Sequence, residues 1–138
     1  FDTDEYAHQS SQVQAVVDLY GPADLTPISA NSYFQRRLRA VFGRDPDALR
    51  RASPVTYIKA GAPPFFIVHG ERDQTVPIAQ SVALQAALQA VGGQATLLSV
   101  RNAGHALVSV GGPISPSQDQ VNAAIVEWLG AKLQFAGG

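Results

Sequence analysis

The apolar positions of the chain fall into three short β-rich runs separated by stretches of helical spacing. Val13–Tyr20 (VQAVVDLY) lies between a polar stretch and Gly21-Pro22, and reads as a buried strand. Phe65–Val68 is continuously apolar and too short for a helix. Its lack of alternation is expected of a strand covered on both faces. Ala95–Val100 reads as a third strand. Between them, Tyr33–Phe42 has helical spacing, with Phe34, Leu38, Val41 and Phe42 on one face and arginines on the other. Gly43 stands where that helix would end. Asp45-Pro46 has the form of an N-cap followed by proline at the first helical position, opening a short helix to about Ala52. Ser53-Pro54 stops it, and Val55–Lys59 is a connector. A helix is expected from about Pro77 to Val91, with Leu84, Leu88 and Val91 inward and Gly92-Gly93 at its end. Ser117 to Gln120 forms a capping-box pattern for a last helix reaching about Leu133. Val121, Ile125, Trp128 or Leu129, and Leu133 would lie on its inner face. Gly130 weakens that helix, and the Ala136–Gly138 tail should fray.

This order of strand, helices, strand, helix, strand, helix predicts an α/β fold. Three parallel strands form one sheet, joined by right-handed crossovers and flanked by helices. A polar leader, Phe1–Gln12, precedes one segment running from Val13 to Gly138, with no internal repeat. At 138 residues the chain can bury one core, and 46% hydrophobic against 15% charged residues suits a covered sheet. The formal charge of -1 and the absence of any long Lys/Arg run leave no footprint for nucleic acid or an anionic membrane. The cluster Arg36, Arg37 and Arg39 reads as a solvated helix face. There is no Cys, which excludes disulfides and thiolate chemistry. No apolar run has the length of a membrane span, and no signal-peptide pattern is present. The chain has no Met and begins with Phe1, which implies a processed form or a segment of a longer product.

Candidate chemistry gathers past the ends of the second and third strands. Functional loops of a parallel sheet collect at the carboxyl ends of its strands. Asp73 follows Phe65–Val68 by a short polar loop, and His105 follows Ala95–Val100 in Asn102-Ala103-Gly104-His105. The two are 32 residues apart, one strand–helix–strand crossover. Neighbouring strands lie roughly 4.8 Å apart, so the two loops can bring carboxylate and imidazole within hydrogen-bond reach. Such a pair fixes the tautomer of the histidine and stabilises the imidazolium formed when it takes a proton. Taken singly, Asp73 also reads as a carboxylate favoured by the N-terminus of the following helix, and His105 as a surface loop residue. His69, at the end of an apolar run, reads as a buried, satisfied structural histidine. His8 reads as solvent-exposed, and Asp24, in a Gly-Pro turn, as turn chemistry. No spacing of His, Asp and Glu forms a convincing metal site, and no cofactor is implied.

Ser53-Pro54, Pro64–Asp73 (PFFIVHGERD) with Val76-Pro77, and Ala103-Gly104-His105 resemble the C-terminal half of the α/β-hydrolase superfamily, in its esterase/lipase group. Val16–Leu25 (VVDLYGPADL) is similar to that group's sixth strand and exit. The resemblance runs from about Val13 to Leu133. It implies a partial α/β-hydrolase fold in which Asp73 is the triad acid and His105 the general base, acting on a small-molecule carboxylic ester. The chain departs from the pattern in having no G-x-S-x-G nucleophile elbow and no HGGG-type oxyanion segment, so no nucleophile is assigned and the chain alone is expected to be inactive. The family's strand order also implies an unpartnered edge on Val13–Tyr20, and hence self-association or pairing with a missing half. Two other readings stay open: a fragment of a prolyl-oligopeptidase-type serine peptidase, and a non-catalytic hydrolase-like binding or assembly module.

Overall fold

A computed structural model describes residues 8–26, 33–43 and 45–133. Most of the leader, residues 27–32 and the Ala136–Gly138 tail lie outside them. Three strands, β1 (Val16–Leu19), β2 (Phe65–Gly70) and β3 (Ala95–Val100), form one parallel sheet in the order β1-β2-β3. The helices are α1 (Tyr33–Phe42), α2 (Pro46–Ala52), α3 (Ala79–Ala90) and α4 (Gln118–Leu133). Short 3-10 turns occupy Pro54–Tyr57 and His105–Leu107.

The central strand is buried along almost its whole length, which is why it carries no polar alternation. Phe66 and Val68 face one way, with Val17, Leu98 and Val100, and meet Val121, Ile125 and Trp128 of α4. The Phe66 and Trp128 rings lie 5.5 Å apart between centroids. Phe65 and Ile67 face the other way, with Ala95 and Leu97, and meet Leu84 and Leu88 of α3. Burying a leucine or isoleucine as fully as Leu88 and Ile67 stabilises the fold by about 1.5–3 kcal/mol each. A third cluster sits beyond the carboxyl end of the sheet, where Phe34 and Leu38 of α1 and Leu49 of α2 close over Leu25 and Val76.

The local signals do what their chemistry requires. Asp45 caps α2 by accepting the Asp47 amide, with Pro46 in the first turn. Ser117 and Gln120 form the reciprocal capping box of α4. Gly92 takes φ +77 behind α3, and the Gly93 amide returns to the Leu88 carbonyl at 2.9 Å.

Several boundaries differ from expectation. β1 is shorter than Val13–Tyr20: Val13 is 55% exposed and Tyr20 turns out of the strand at φ +47. Its partner strand is preceded by Pro63-Pro64, which offers no amide donor to extend the ladder. β2 continues through His69 and Gly70 because Ser99 and Val100 of β3 are there to pair with them. α3 starts at Ala79 rather than Pro77, and the Val55–Lys59 connector is partly a 3-10 turn. Val41 of α1 is 74% exposed, because the apolar cluster reaches only the earlier turns of that helix. Leu133 likewise lies on the exposed end of α4.

Two polar features hold β1's exit in place. The Gln80 side chain, buried on α3, accepts the amides of Ala23 at 2.9 Å and Asp24 at 2.7 Å. Ser53 accepts the Leu25 amide and donates to the Leu49 carbonyl. Asp24 itself closes a turn by accepting from Thr26. Asp18 stands opposite Ile67, on the α3 side of the sheet, and one of its oxygens is buried without a partner. Burial pushes its carboxyl above the usual carboxylate range, while nearby His69 and the Gly21 amide pull the other way.

Gln80→Leu should cost about 2–6 kcal/mol in urea denaturation, because two amides lose their acceptor at roughly 1–3 kcal/mol each. Asp18 predicts a pH effect whose sign follows from its raised pKa. The folded state binds this proton more tightly than the unfolded chain, so stability falls as pH rises from the unfolded value of 3.8 through the folded one. Asp18→Asn should flatten that fall and raise the melting temperature at pH 7. A variant less stable than the parent at pH 7 would sink this account of Asp18.

Candidate active site

β2 ends in a turn that places Asp73 directly under the sheet's carboxyl edge. The Asp73 amide returns to the Gly70 carbonyl at 3.2 Å, and its side chain is fully buried. One oxygen, Oδ1, accepts the amides of Thr75 at 2.8 Å and Val76 at 2.9 Å. The other, Oδ2, lies 2.8 Å from Nδ1 of His105. The two residues singled out in the sequence are therefore brought into a hydrogen bond. A carboxylate can only accept, so Nδ1 of His105 carries the proton and Nε2 keeps its lone pair. The His105 side chain is 39% exposed, which leaves the imidazole open to a reacting group.

The His105 loop is built on close backbone approach. A Cβ on Gly70 would stand 2.4 Å from the Ala103 carbonyl oxygen and 2.6 Å from that of Gly104, so glycine is required there. The Arg72 amide donates to Ala103, and the Arg72 guanidinium to the Val110 carbonyl at 3.1 Å. Ala106 and Leu107 both hold φ +57, a conformation that non-glycine residues seldom adopt. The Gly104 amide donates to the Val108 carbonyl and the Val110 amide to the Asn102 carbonyl, both at 2.7 Å, and these hydrogen bonds hold the turn.

Two further side chains flank the pair. Tyr20, just past β1, sets its ring edge-on to His105 at 5.1 Å between centroids. Sequence patterning did not single out Tyr20, although an aromatic at the carboxyl end of the strand beside β2 was the available signal. His69 is wholly buried, as expected of a structural histidine, and is bonded to Ser81 and the Val76 carbonyl. Its Nε2 also lies 3.4 Å from Oδ2 of Asp73, a proximity that spacing did not reveal. Asp18, on β1, lies near enough to His69 for the imidazole's charge to act against the rise in its pKa that burial causes. His8 is exposed, and Asp24 serves its turn, so neither joins the site.

Two apolar cavities of about 290 and 240 Å³ share Pro54, Ile58 and Phe65 and include neither Asp73 nor His105. Among the described residues no group of three or more His, Asp or Glu is placed to hold a metal ion. No helix among them is long and apolar enough to cross a membrane.

Residues 1–88 match the BD-FAE family. The chain is 39% identical over 88 residues to Esterase LipQ of Mycobacterium tuberculosis, an alignment covering 58% of this chain and 20% of that protein. Among solved structures, a truncated carbohydrate esterase from gut microbiota is 32% identical with a TM-score of 0.64, covering 74% of this chain and 39% of that one. A thermophilic esterase of Thermogutta terrifontis, Est2, is 25% identical with a TM-score of 0.65, covering 95% of this chain and 46% of that one. The chain thus spans a fifth of the curated relative and less than half of the two solved esterases. The three-stranded parallel sheet, the esterase neighbours and the family match agree: the chain belongs to the BD-FAE family and carries the strand pattern of the C-terminal part of an esterase/lipase-type α/β-hydrolase.

Proposed function

We propose that Asp73 and His105 are the acid and general base of a serine-type carboxylic ester hydrolase whose nucleophile comes from outside these 138 residues. The observation that carries this reading is the 2.8 Å bond from a half-exposed imidazole to a buried, backbone-clamped carboxylate. Asp73 holds His105 with its proton on Nδ1, so that Nε2 can take the hydroxyl proton of a serine attacking an ester carbonyl. The imidazolium that forms is stabilised by Asp73 and returns the proton to the departing alkoxide. Water then repeats the sequence on the acyl-enzyme.

None of the ten serines stands in a G-x-S-x-G segment, and the sequence has no HGGG-type oxyanion segment. Ser53 and Ser81 are buried in other hydrogen bonds, and Ser117 caps α4. The described residues therefore supply a base and an orienting acid, and the triad acts as a unit. The esterase names of the relatives support a carboxylic ester as substrate.

β1 supports a second part of the proposal. It pairs with β2 on one side, and its other edge has no strand among the described residues. Leu19 on this strand is 43% exposed. Such an edge takes up another strand, from a second copy of the chain or from the rest of a hydrolase.

Three measurements test this proposal. The 138-residue chain alone should give no hydrolysis of p-nitrophenyl esters above background. In a protein that also contains the serine elbow, His105→Ala should lower kcat by about 10⁶-fold and Asp73→Asn by about 10⁴-fold. Robust saponification by the 138 residues alone, abolished by His105→Ala, would overturn the external nucleophile. In light scattering at micromolar concentration the chain should run as a dimer or larger, and a monodisperse monomer would count against an adhesive β1 edge.

A further inference from the structure

The two faces of the sheet are not covered evenly. On one of them α3 lies over β2 and β3, where Leu84 and Leu88 meet Ile67, Phe65, Ala95 and Leu97. Among the described residues none from β1 joins that cluster. Yet Val16 and Asp18 of β1 stand in register with Phe65 and Ile67 and turn to the same side. A parallel sheet is ordinarily covered by helices on both faces. Over β1 the place beside α3 is taken by a groove instead. It consists of the two adjoining apolar cavities of about 240 and 290 Å³, whose common wall is Pro54, Ile58 and Phe65. Val16 and Asp18 line one end, and Lys59 and Pro63, just ahead of β2, line the other. The groove adjoins the edge of β1 that has no strand beside it among the described residues.

We propose that this groove seats one apolar helix, contributed by the rest of the hydrolase as the crossover next to β1. The inference rests on the proposed function, in which these 138 residues are part of an ester hydrolase. A strand added to β1 in the sense of the existing sheet has to be connected through a helix lying on a face of the sheet. The groove is the uncovered place on such a face, and it is continuous with the edge that such a strand would occupy. More than half of the Est2 chain lies outside the part matched here, which leaves ample length for both elements. The direction of the helix follows as well. A crossover helix runs back from the carboxyl ends of the strands toward their amino ends, so its N-terminus comes to the Asp18 end and its C-terminus to the Lys59 end. The charges agree, because a helix N-terminus favours a carboxylate and a C-terminus a cation. The stripe that meets Ile58 and Phe65 is apolar at positions i, i+3, i+4 and i+7.

The 138 residues contain no Cys, so a single introduced thiol reports on the groove. Ile58→Cys belongs to both cavities. It should react readily with a maleimide in the 138-residue chain. In a protein that also contains the serine elbow it should react about tenfold or more slowly, because the helix has to lift away first. Val82→Cys, on the outer side of α3 and 50% exposed, should react equally fast in both. If Ile58→Cys does not fold, Pro54→Cys on the exposed wall of the same groove gives the same readout. Equal reaction in the two proteins would leave the groove open, as a site for a small molecule would be, and would overturn the inference. Protection that grows with the concentration of the 138-residue chain would assign the groove to a second copy and overturn it equally. Ester hydrolysis by the same longer protein separates the two proposals. A protected thiol in a protein without esterase activity sinks the proposed function alone, and a reactive thiol in an active esterase sinks the seated helix alone.

Discussion

An ionised carboxylate is buried at low cost only where its lone pairs are taken up, because leaving water costs the ion several kcal/mol. Asp73 meets that condition with two backbone amides on one oxygen and His105 on the other. Much of the molecule can be understood as the apparatus for this arrangement. The turn from Gly70 to Val76 supplies the amides. Val76 is anchored from below by His69 and from above by the cluster of Phe34, Leu38 and Leu49. The helices α1 and α2 therefore do more than cover the end of the sheet, since they press on the residue whose amide holds the acid.

The second requirement is proximity between two strand exits. His105 reaches Asp73 because β2 and β3 are neighbours and their loops touch through backbone. Gly70 makes this possible: a side chain there would collide with the Ala103 and Gly104 carbonyls. Behind them, Phe66, Val68 and Val100 are buried with Val121 of α4. The apolar continuity of β2 and the placement of the acid are thus two results of one strand being central. The positive φ values at Ala106 and Leu107 show where the chain bears strain to present His105.

Much of the fold was legible because its signals are local. The apolar runs, the Asp45-Pro46 start, the Gly92-Gly93 stop and the Ser117–Gln120 box each depend on residues a few positions apart, and each appears in the structure. The pairing of Asp73 with His105 was legible for a different reason, namely that crossover spacing in a parallel sheet fixes which loops are neighbours. What escaped were bonds between side chains and distant backbone. Nothing near Gln80 in sequence says that it will hold Ala23 and Asp24, more than fifty residues away. Nor does Pro63-Pro64 announce how far β1 will pair until the register is known. His69 was legible as a buried histidine, but its bond to the Val76 carbonyl and its 3.4 Å approach to Asp73 are properties of the turn's tertiary shape.

Tyr20 deserves a last consideration because it belongs to two systems at once. It is the residue on which β1 leaves the sheet, and its ring lies against His105. Its amide is held by the Val68 carbonyl at 2.8 Å, so its position is tied to the seating of β1 on β2. The outer edge of the sheet and the imidazole are therefore linked through one aromatic ring. The setting of the imidazole thus depends on how the first strand is seated against the second.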